Sequence, residues 1–128
     1  MNLWRRVALI LVVAFFIAAG SNHFLHPAFY MRIVPPWLPA HALIVRISGC
    51  CEILGGIGLL VPSLRTFAGI GLIALLIAVF PANIQMARHP ELYSDLGNEW
   101  LFYLRLPLQV VFIAWVWWVC NLPRDAKL

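Results

Sequence analysis

Polar side chains interrupt the apolar stretches of this chain, and they are the residues whose types and spacing could do chemistry. Glu52 is the one acidic residue inside such a stretch, and Arg105 and Gln109 lie four residues apart. A helix places residues at that spacing on one face. A charged carboxylate without a partner is costly in an apolar interior. We therefore predict that Glu52 lies within reach of Arg105, directly or through Gln109, Asn83 or one water. The alternative is that Glu52 is protonated.

The elements that must position these residues are four long apolar segments. The chain has 128 residues, of which 63% are hydrophobic and 11% charged. Soluble domains carry about 25% charged residues, so both a soluble domain and a disordered chain are excluded. A membrane-spanning helix needs about 20 residues, and the length accommodates four. We predict an all-α fold, a transmembrane four-helix bundle in a single membrane domain (1–128), with spans at about 5–24, 42–61, 67–86 and 100–120.

The distribution of basic residues predicts the orientation. With four spans, both termini and the 62–66 turn share one side. That side carries five basic residues and the other carries two: Arg5, Arg6, Arg65, Arg124 and Lys127 against Arg32 and Arg88. Basic loops favour the cytoplasm, so we predict both termini cytoplasmic, in a bacterial inner (plasma) membrane. The nine basic residues form no stripe that could follow a phosphate backbone, so no nucleic-acid partner is expected.

In this orientation, polar groups from all four spans lie at mid-membrane or in the outer half. The candidate ligand-binding residues are Glu52, Arg105, Gln109, Asn83, Gln85, Arg46, Asn22 and His23. Arg46 lies about 120° from Glu52 around the helix, so it is expected to have another partner or to reach the interface. Two interpretations stay open. The cluster is a pocket whose arginine and amides suit an oxyanion or a quinone carbonyl, or it fixes the helix register.

Prolines and small residues predict further features of the bundle. The 27–40 connection contains four prolines, which oppose regular helix, together with Tyr30 and Trp37. We expect it to be ordered and to lie on the membrane surface or over the outer mouth of the bundle. Pro81 and Pro107 should kink their spans and widen the outer half. Alanines at four-residue intervals predict close helix packing: Ala14 and Ala18, and Ala74, Ala78 and Ala82.

The sequence contains no motif that is typical of an enzyme acting without a partner. The four histidines have no diagnostic metal-site spacing, and the three cysteines form no C-x-x-C pair. We therefore predict no metal site, and we do not expect an enzyme that acts alone.

Several motifs resemble those of the DoxX-like family of small four-helix membrane proteins. The most specific are the runs 80–87 (FPANIQMA) and 105–109 (RLPLQ). The others are Asn22-His23-Phe24, Pro27, Tyr30, Val34-Pro35, Pro39, Ser48-Gly49, Glu52, Gly56, Pro62 and Arg65. The resemblance covers essentially the whole chain and implies a four-helix bundle. Its members include subunits associated with thiosulfate:quinone oxidation and a mycobacterial component linked to oxidative-stress defence. Looser relatives include chaperones and cargo receptors.

The resemblance implies an accessory subunit in membrane redox metabolism, associated with an oxidoreductase, with quinone as the candidate cofactor. The partners expected besides the lipid bilayer are a redox-enzyme subunit or another membrane protein, and a second copy of the chain. The alternative is a membrane-protein assembly factor or chaperone that acts by helix packing. In that case the polar cluster is purely structural.

Overall fold

The computed structural model describes residues 2–122, and every regular element in that range is helical. The elements are α1 (Leu3–Leu25), α2 (Pro27–Ile33), α3 (His41–Leu60), α4 (Arg65–Arg88), a 3-10 helix (Pro90–Leu96) and α5 (Glu99–Cys120). Within the described range, α1, α3, α4 and α5 are long and apolar enough to cross a membrane. The predicted all-α bundle is therefore confirmed, and each long helix begins and ends within three residues of its predicted span.

The four long helices pack as antiparallel neighbours in the order α1, α3, α4, α5, and α1 touches α5 only slightly. One end of the bundle holds the start of α1 and the end of α5; we call it the terminal end. The opposite end holds α2 and the 3-10 helix; we call it the loop end. These ends correspond to the predicted cytoplasmic and outer sides, respectively.

Glycines allow the closest approaches between helices. A Cβ atom on Gly20 of α1 would lie 2.7 Å from the carbonyl oxygen of Gly49 on α3. A Cβ on Gly69 of α4 would lie 2.1 Å from the Cβ of Cys120 on α5. Only a hydrogen fits at either position, so these glycines set the helix separations.

The alanine stripes do not make the close contacts that their spacing predicts. The side chains of Ala14, Ala18, Ala74 and Ala78 are exposed, and only Ala82 is half-buried. Four-residue spacing places small residues on one face, but it does not determine which face meets a neighbour. In spans that are apolar all round, the polar side that would identify the outer face is missing.

Two apolar cores occupy the ends of the bundle. The core of the terminal end is built from all four long helices, from Leu9, Val12, Val13, Phe16, Leu59, Leu72, Val116, Val119 and Cys120, with Leu122 after α5. The core of the loop end is smaller and holds Met86, Ala87, Tyr93 and Phe102. The polar residues of the spans lie between these two cores.

The connection between α1 and α3 is helical over residues 27–33 and not over 34–40, so the expectation that its prolines oppose helix is wrong at Pro27 and holds for Pro35, Pro36 and Pro39. Pro27 is the first residue of α2, where the missing N–H of proline removes no helical hydrogen bond. Val34 and Pro35 after this helix are buried. Trp37 is 69% exposed, so the connection packs on the loop end through α2 and residues 34–35 rather than through its tryptophan.

An exposed ion pair joins α2 to the 3-10 helix. The two terminal nitrogens of Arg32 donate to the two carboxylate oxygens of Asp95, at 2.6 and 2.9 Å. The same guanidinium also donates to the carbonyl oxygen of Leu92, at 3.3 Å. Two connections that are far apart in sequence are thereby held together across the loop end.

Arg65 is not a surface charge of the 62–66 turn. Its side chain is 1% exposed, and its Nε donates to the carbonyl oxygen of Leu59 at 2.8 Å. Carbonyls in the last turn of a helix have no helical partner, so this bond satisfies one at the end of α3. Arg65 therefore no longer counts among the exposed basic residues that support the predicted orientation. Arg124 and Lys127, which it also used, lie outside the described residues.

Candidate functional site

A cavity of about 210 Å³ lies between the four long helices. Four polar residues line it: Glu52 from α3, Asn83 from α4, and Arg105 and Gln109 from α5. Its apolar wall consists of Phe15, Phe16, Leu76, Val79, Leu108 and Phe112. The four residues that the sequence analysis placed at the centre of the polar cluster therefore share one cavity.

The two amides of the cavity form a hydrogen-bonded link between α4 and α5. The Nδ2 of Asn83 donates to the Oε1 of Gln109, and the Nε2 of Gln109 donates to the carbonyl oxygen of Leu76. Gln109 is buried, so this link satisfies polar atoms that would otherwise be costly. Asn83 and Gln109 therefore hold one wall of the cavity in place.

Pro81 and Pro107 lie inside α4 and α5, as the sequence predicts. Proline lacks the N–H that would bond four residues back, and so it frees a carbonyl in the preceding turn. Leu76, whose carbonyl accepts from Gln109, lies in the turn before Pro81. The loosened turn of α4 therefore coincides with the wall of the cavity.

Arg105 lines the cavity without a protein partner. It forms no hydrogen bond and no ion pair within residues 2–122, although its side chain is half-buried. A direct ion pair between Arg105 and Glu52 is therefore not formed in the described part of the chain, although both residues line the same cavity. A half-buried guanidinium with free donors is suited to an anion or to a carbonyl oxygen.

Glu52 pairs with His23 of α1 instead. The Nε2 of His23 lies 3.3 Å from the Oε2 of Glu52, and the two side chains are 10% and 13% exposed. This distance is within ion-pair range, but the atoms are not aligned for a hydrogen bond. The contact joins the first and second spans at the edge of the cavity.

The second ring nitrogen of His23 determines how this contact is protonated. The Nδ1 of His23 lies 3.0 Å from the carbonyl oxygen of Val45. A carbonyl only accepts, so Nδ1 carries the hydrogen, and a neutral His23 turns a bare Nε2 toward Glu52. A bare nitrogen and a carboxylate would repel each other. A favourable contact therefore requires one further proton, carried by either His23 or Glu52.

Polar side chains continue from this pair toward the loop end. The ring of Tyr30 lies 4.0 Å from that of His23, centroid to centroid. The Nδ2 of Asn22 donates to the Tyr30 hydroxyl oxygen at 2.8 Å. Asn22 and His23 therefore belong to one polar network with Glu52. This network connects α2 with the cavity.

Two predicted site residues lie apart from the cavity. Arg46 is exposed on α3, and Gln85 is half-buried on α4, and neither lines the cavity. The exposure of Arg46 agrees with its expected position about 120° from Glu52 around the helix. Gln85 lies two residues from Asn83, and that spacing turns its side chain to another face of α4.

The sequence analysis did not identify the aromatic wall. The rings of Phe15 and Phe112 stack with centroids 4.4 Å apart, across the narrow contact between α1 and α5. Phenylalanine in an apolar span resembles any lipid-facing residue, so no local pattern distinguishes these two. Only the position of Phe112 one turn after Gln109 offered a signal, since residues at that spacing are neighbours on a helix.

The lining of the cavity reaches the surface of the bundle at the contact between α1 and α5. Phe15 and Leu108 line it, and each is 43% exposed on the surface of the bundle. Their faces away from the cavity meet lipid in a membrane-spanning bundle.

Four membrane-length helices around a cavity define an integral membrane protein. Residues 12–120 match the family described as Domain of unknown function (DUF8561), and the chain belongs to this family. No curated protein and no solved structure matches the chain. The resemblance to DoxX-like proteins thus stays a prediction from sequence motifs.

Proposed function

We propose that this protein is a DoxX-like accessory subunit of membrane redox metabolism, and that its cavity binds the headgroup of a quinone or a small oxyanion. The observation that carries the proposal is the half-buried guanidinium of Arg105. It lines the cavity and has no hydrogen-bond or ion-pair partner among residues 2–122. We infer that a ligand oxygen is this partner.

The chemistry of the cavity suits a quinone headgroup. Arg105 supplies donors to a carbonyl oxygen, and Phe15 and Phe112 supply aromatic faces beside it. The volume of about 210 Å³ is smaller than the roughly 300–1,000 Å³ of sites that enclose whole ligands. A headgroup therefore fits inside, while an apolar tail would leave between α1 and α5 into the lipid.

A small oxyanion is the second ligand class within this proposal. The guanidinium would hold its charge, and the amides of Asn83 and Gln109 line the same space. Glu52 would oppose an anion if it were charged, whereas a protonated Glu52 could donate a hydrogen bond to it. An oxyanion would therefore bind more tightly at low pH, and a neutral quinone would not depend on pH in this way.

Purification in mild detergent followed by mass spectrometry tests the proposal. We expect quinone or a small oxyanion to co-purify with the unaltered protein, and Arg105→Met to lower its occupancy at least about tenfold. Losing a hydrogen bond to a charged donor costs about 1.5–3 kcal/mol, which corresponds to this change. The matched control is Arg46→Met, because Arg46 is exposed and lies outside the cavity lining. Equal occupancy in both variants would refute the proposal.

The alternative function, an assembly factor or chaperone, is favoured by a different surface. Gly71, Ala74 and Ala78 are exposed on α4, and a Cβ on Gly71 would have no atom within 4 Å. Small exposed residues let a foreign helix approach closely. Under this alternative, Ala74→Leu abolishes function in the cell, while Arg105→Met leaves function intact. The opposite pattern supports the redox proposal.

A further inference from the structure

A second cavity lies at the terminal end of the bundle, remote from the polar site. Its volume is about 330 Å³, and its lining includes Arg5 of α1, Trp117 and Trp118 of α5, and Asn121 and Leu122 after α5. Arg5 and Phe15 are ten residues apart, which separates the two cavities by roughly 15 Å along α1. Nothing in the proposed function involves this cavity.

The charge of this cavity favours an anion. The guanidinium of Arg5 has no hydrogen-bond or ion-pair partner in the described part of the chain. The hydrogen bond between Arg5 and Asn2 is made by the backbone N–H of Arg5, which donates to the side-chain oxygen of Asn2. Asn121 adds an amide, whose nitrogen donates to the carbonyl oxygen of Trp117 at 2.7 Å. Among the described lining residues none is acidic, so none of them competes with an anion for Arg5.

The remaining lining places the cavity at headgroup depth. Trp117 and Trp118 are 58% and 45% exposed. Exposed tryptophans at the end of a spanning helix favour the region of the lipid headgroups. Residues 117–120 form the last turn of α5, and Arg5 lies in the first turn of α1, so the cavity lies where two spans leave the apolar layer.

The surface beside the cavity can accept acyl chains. Along α1 and α5 the neighbouring side chains are apolar and exposed, among them Val7 and Leu11 on α1 and Val110 and Val111 on α5. Helices α1 and α5 touch only slightly, so apolar side chains of both helices stay uncovered by the bundle. A molecule with a charged head and an apolar tail matches this arrangement better than a free ion does.

We propose that this cavity binds the phosphate-bearing headgroup of an anionic phospholipid. Arg5 contacts the phosphate, Trp117 and Trp118 form the walls, and the acyl chains lie against α1 and α5. If the termini are cytoplasmic, the site lies in the leaflet whose surface is negatively charged.

Native mass spectrometry of the protein with added lipid tests this proposal. Phosphatidylglycerol is the anionic probe, and phosphatidylcholine is its zwitterionic counterpart. We expect the unaltered protein to retain phosphatidylglycerol in preference, and Arg5→Gln to weaken its retention about fivefold. The matched control is Arg6→Gln, which removes the same charge from the adjacent exposed residue outside the described lining and should change retention less than twofold.

Three results would overturn the proposal. Equal losses in the Arg5 and Arg6 variants would indicate attraction to surface charge alone. Equal retention of the two lipids by the unaltered protein would exclude a site for anionic headgroups. Displacement of phosphatidylglycerol by inorganic phosphate at the same concentration would assign the cavity to a free anion instead. Quinone or oxyanion occupancy of the other cavity changes in none of these measurements, so the two proposals fail independently.

Discussion

The Nε2 of His23 lies 3.3 Å from the Oε2 of Glu52, and this contact joins α1 to α3 at the edge of the polar cavity. Because the Nδ1 of His23 donates to the carbonyl of Val45, the contact requires a further proton on one of the two side chains. Arg105 is thereby left without the carboxylate that the sequence suggested for it. His23 therefore takes the place beside Glu52 that the sequence analysis gave to Arg105, and the donors of Arg105 are available to a ligand.

We expect a double-mutant cycle to measure this relationship. His23→Asn and Glu52→Gln each lower the free energy of unfolding, and the pair should show a coupling of about 0.5–3 kcal/mol. Asparagine keeps an amide that can reach Val45, so the cycle isolates the contact with Glu52. Unfolding by SDS in mixed micelles supplies the free energies.

The control is a second cycle that combines Glu52→Gln with Arg105→Met. These residues line one cavity but form no ion pair, so their coupling should be smaller than that of Glu52 with His23. A larger coupling for Glu52 with Arg105 than for Glu52 with His23 would contradict the arrangement described.

Two glycines of α4 give a matched test of helix packing. Gly69→Ala should lower stability by about 1–3 kcal/mol, because its Cβ would lie 2.1 Å from the Cβ of Cys120. Gly71→Ala should leave stability unchanged or raise it by up to about 1 kcal/mol, since its Cβ meets nothing within 4 Å and alanine favours helix. SDS unfolding of both variants checks the difference. Similar losses in both would mean that α4 and α5 do not approach closely at Gly69.

The fold was predictable from the sequence because each span is a long apolar segment bounded by polar or proline residues. The helix-to-helix contacts were not. Ala74 and Ala78 have the spacing of a packing face, yet they are exposed, while Gly20 and Gly69 make the close contacts. In an apolar span both faces are hydrophobic, so the pattern that orients a helix in a soluble protein is missing.

The sequence predicted which polar residues line the cavity better than it predicted which of them contact each other. Glu52, Asn83, Arg105 and Gln109 share a cavity because costly polar groups in spans face the interior. The partner of Glu52 depended on the rotation and tilt of α1, which bring His23 beside it. No spacing within one helix encodes those quantities.

The ion pair between Arg32 and Asp95 predicts a pH dependence at the loop end. Hydrogen bonds from Arg32 hold the pKa of Asp95 below its usual range, and the same pair raises the pKa of Arg32. The folded pKa of Asp95 thus lies below the unfolded value of about 3.9. The stabilisation is complete above that value and is lost as the pH falls through the folded pKa.

We expect Asp95→Asn to speed hydrogen exchange of the 90–96 amides at about pH 6, and the difference from the unaltered protein to shrink as the pH falls below about 3.9. The rates are compared at each pH, which cancels the intrinsic dependence of exchange. Glu91→Gln is the control, because Glu91 contacts His89 within the same segment and does not tie it to α2. If the two variants speed hydrogen exchange equally, the loss of a negative charge explains the effect, and the ion pair with Arg32 does not.

The predicted membrane orientation depends on the basic residues at the two ends of the bundle, and the structure shows that one of them, Arg65, is buried. Arg65 is buried, so the case for cytoplasmic termini now depends on exposed Arg5 and Arg6 and on Arg124 and Lys127 beyond the described residues. On the loop end the counted basic residues are still Arg32, which forms an ion pair with Asp95, and Arg88. Basic residues near span ends are retained in the cytoplasm.

A reporter fused after residue 128 should therefore be active in the cytoplasm, and one inserted between residues 97 and 98 should be active outside it. The reverse pattern would place the polar cavity in the cytoplasmic half and the cavity around Arg5 in the outer leaflet. Arg5 and Arg6 changed together to glutamine should weaken the orientation, whereas Arg65→Gln should affect stability and leave the orientation unchanged.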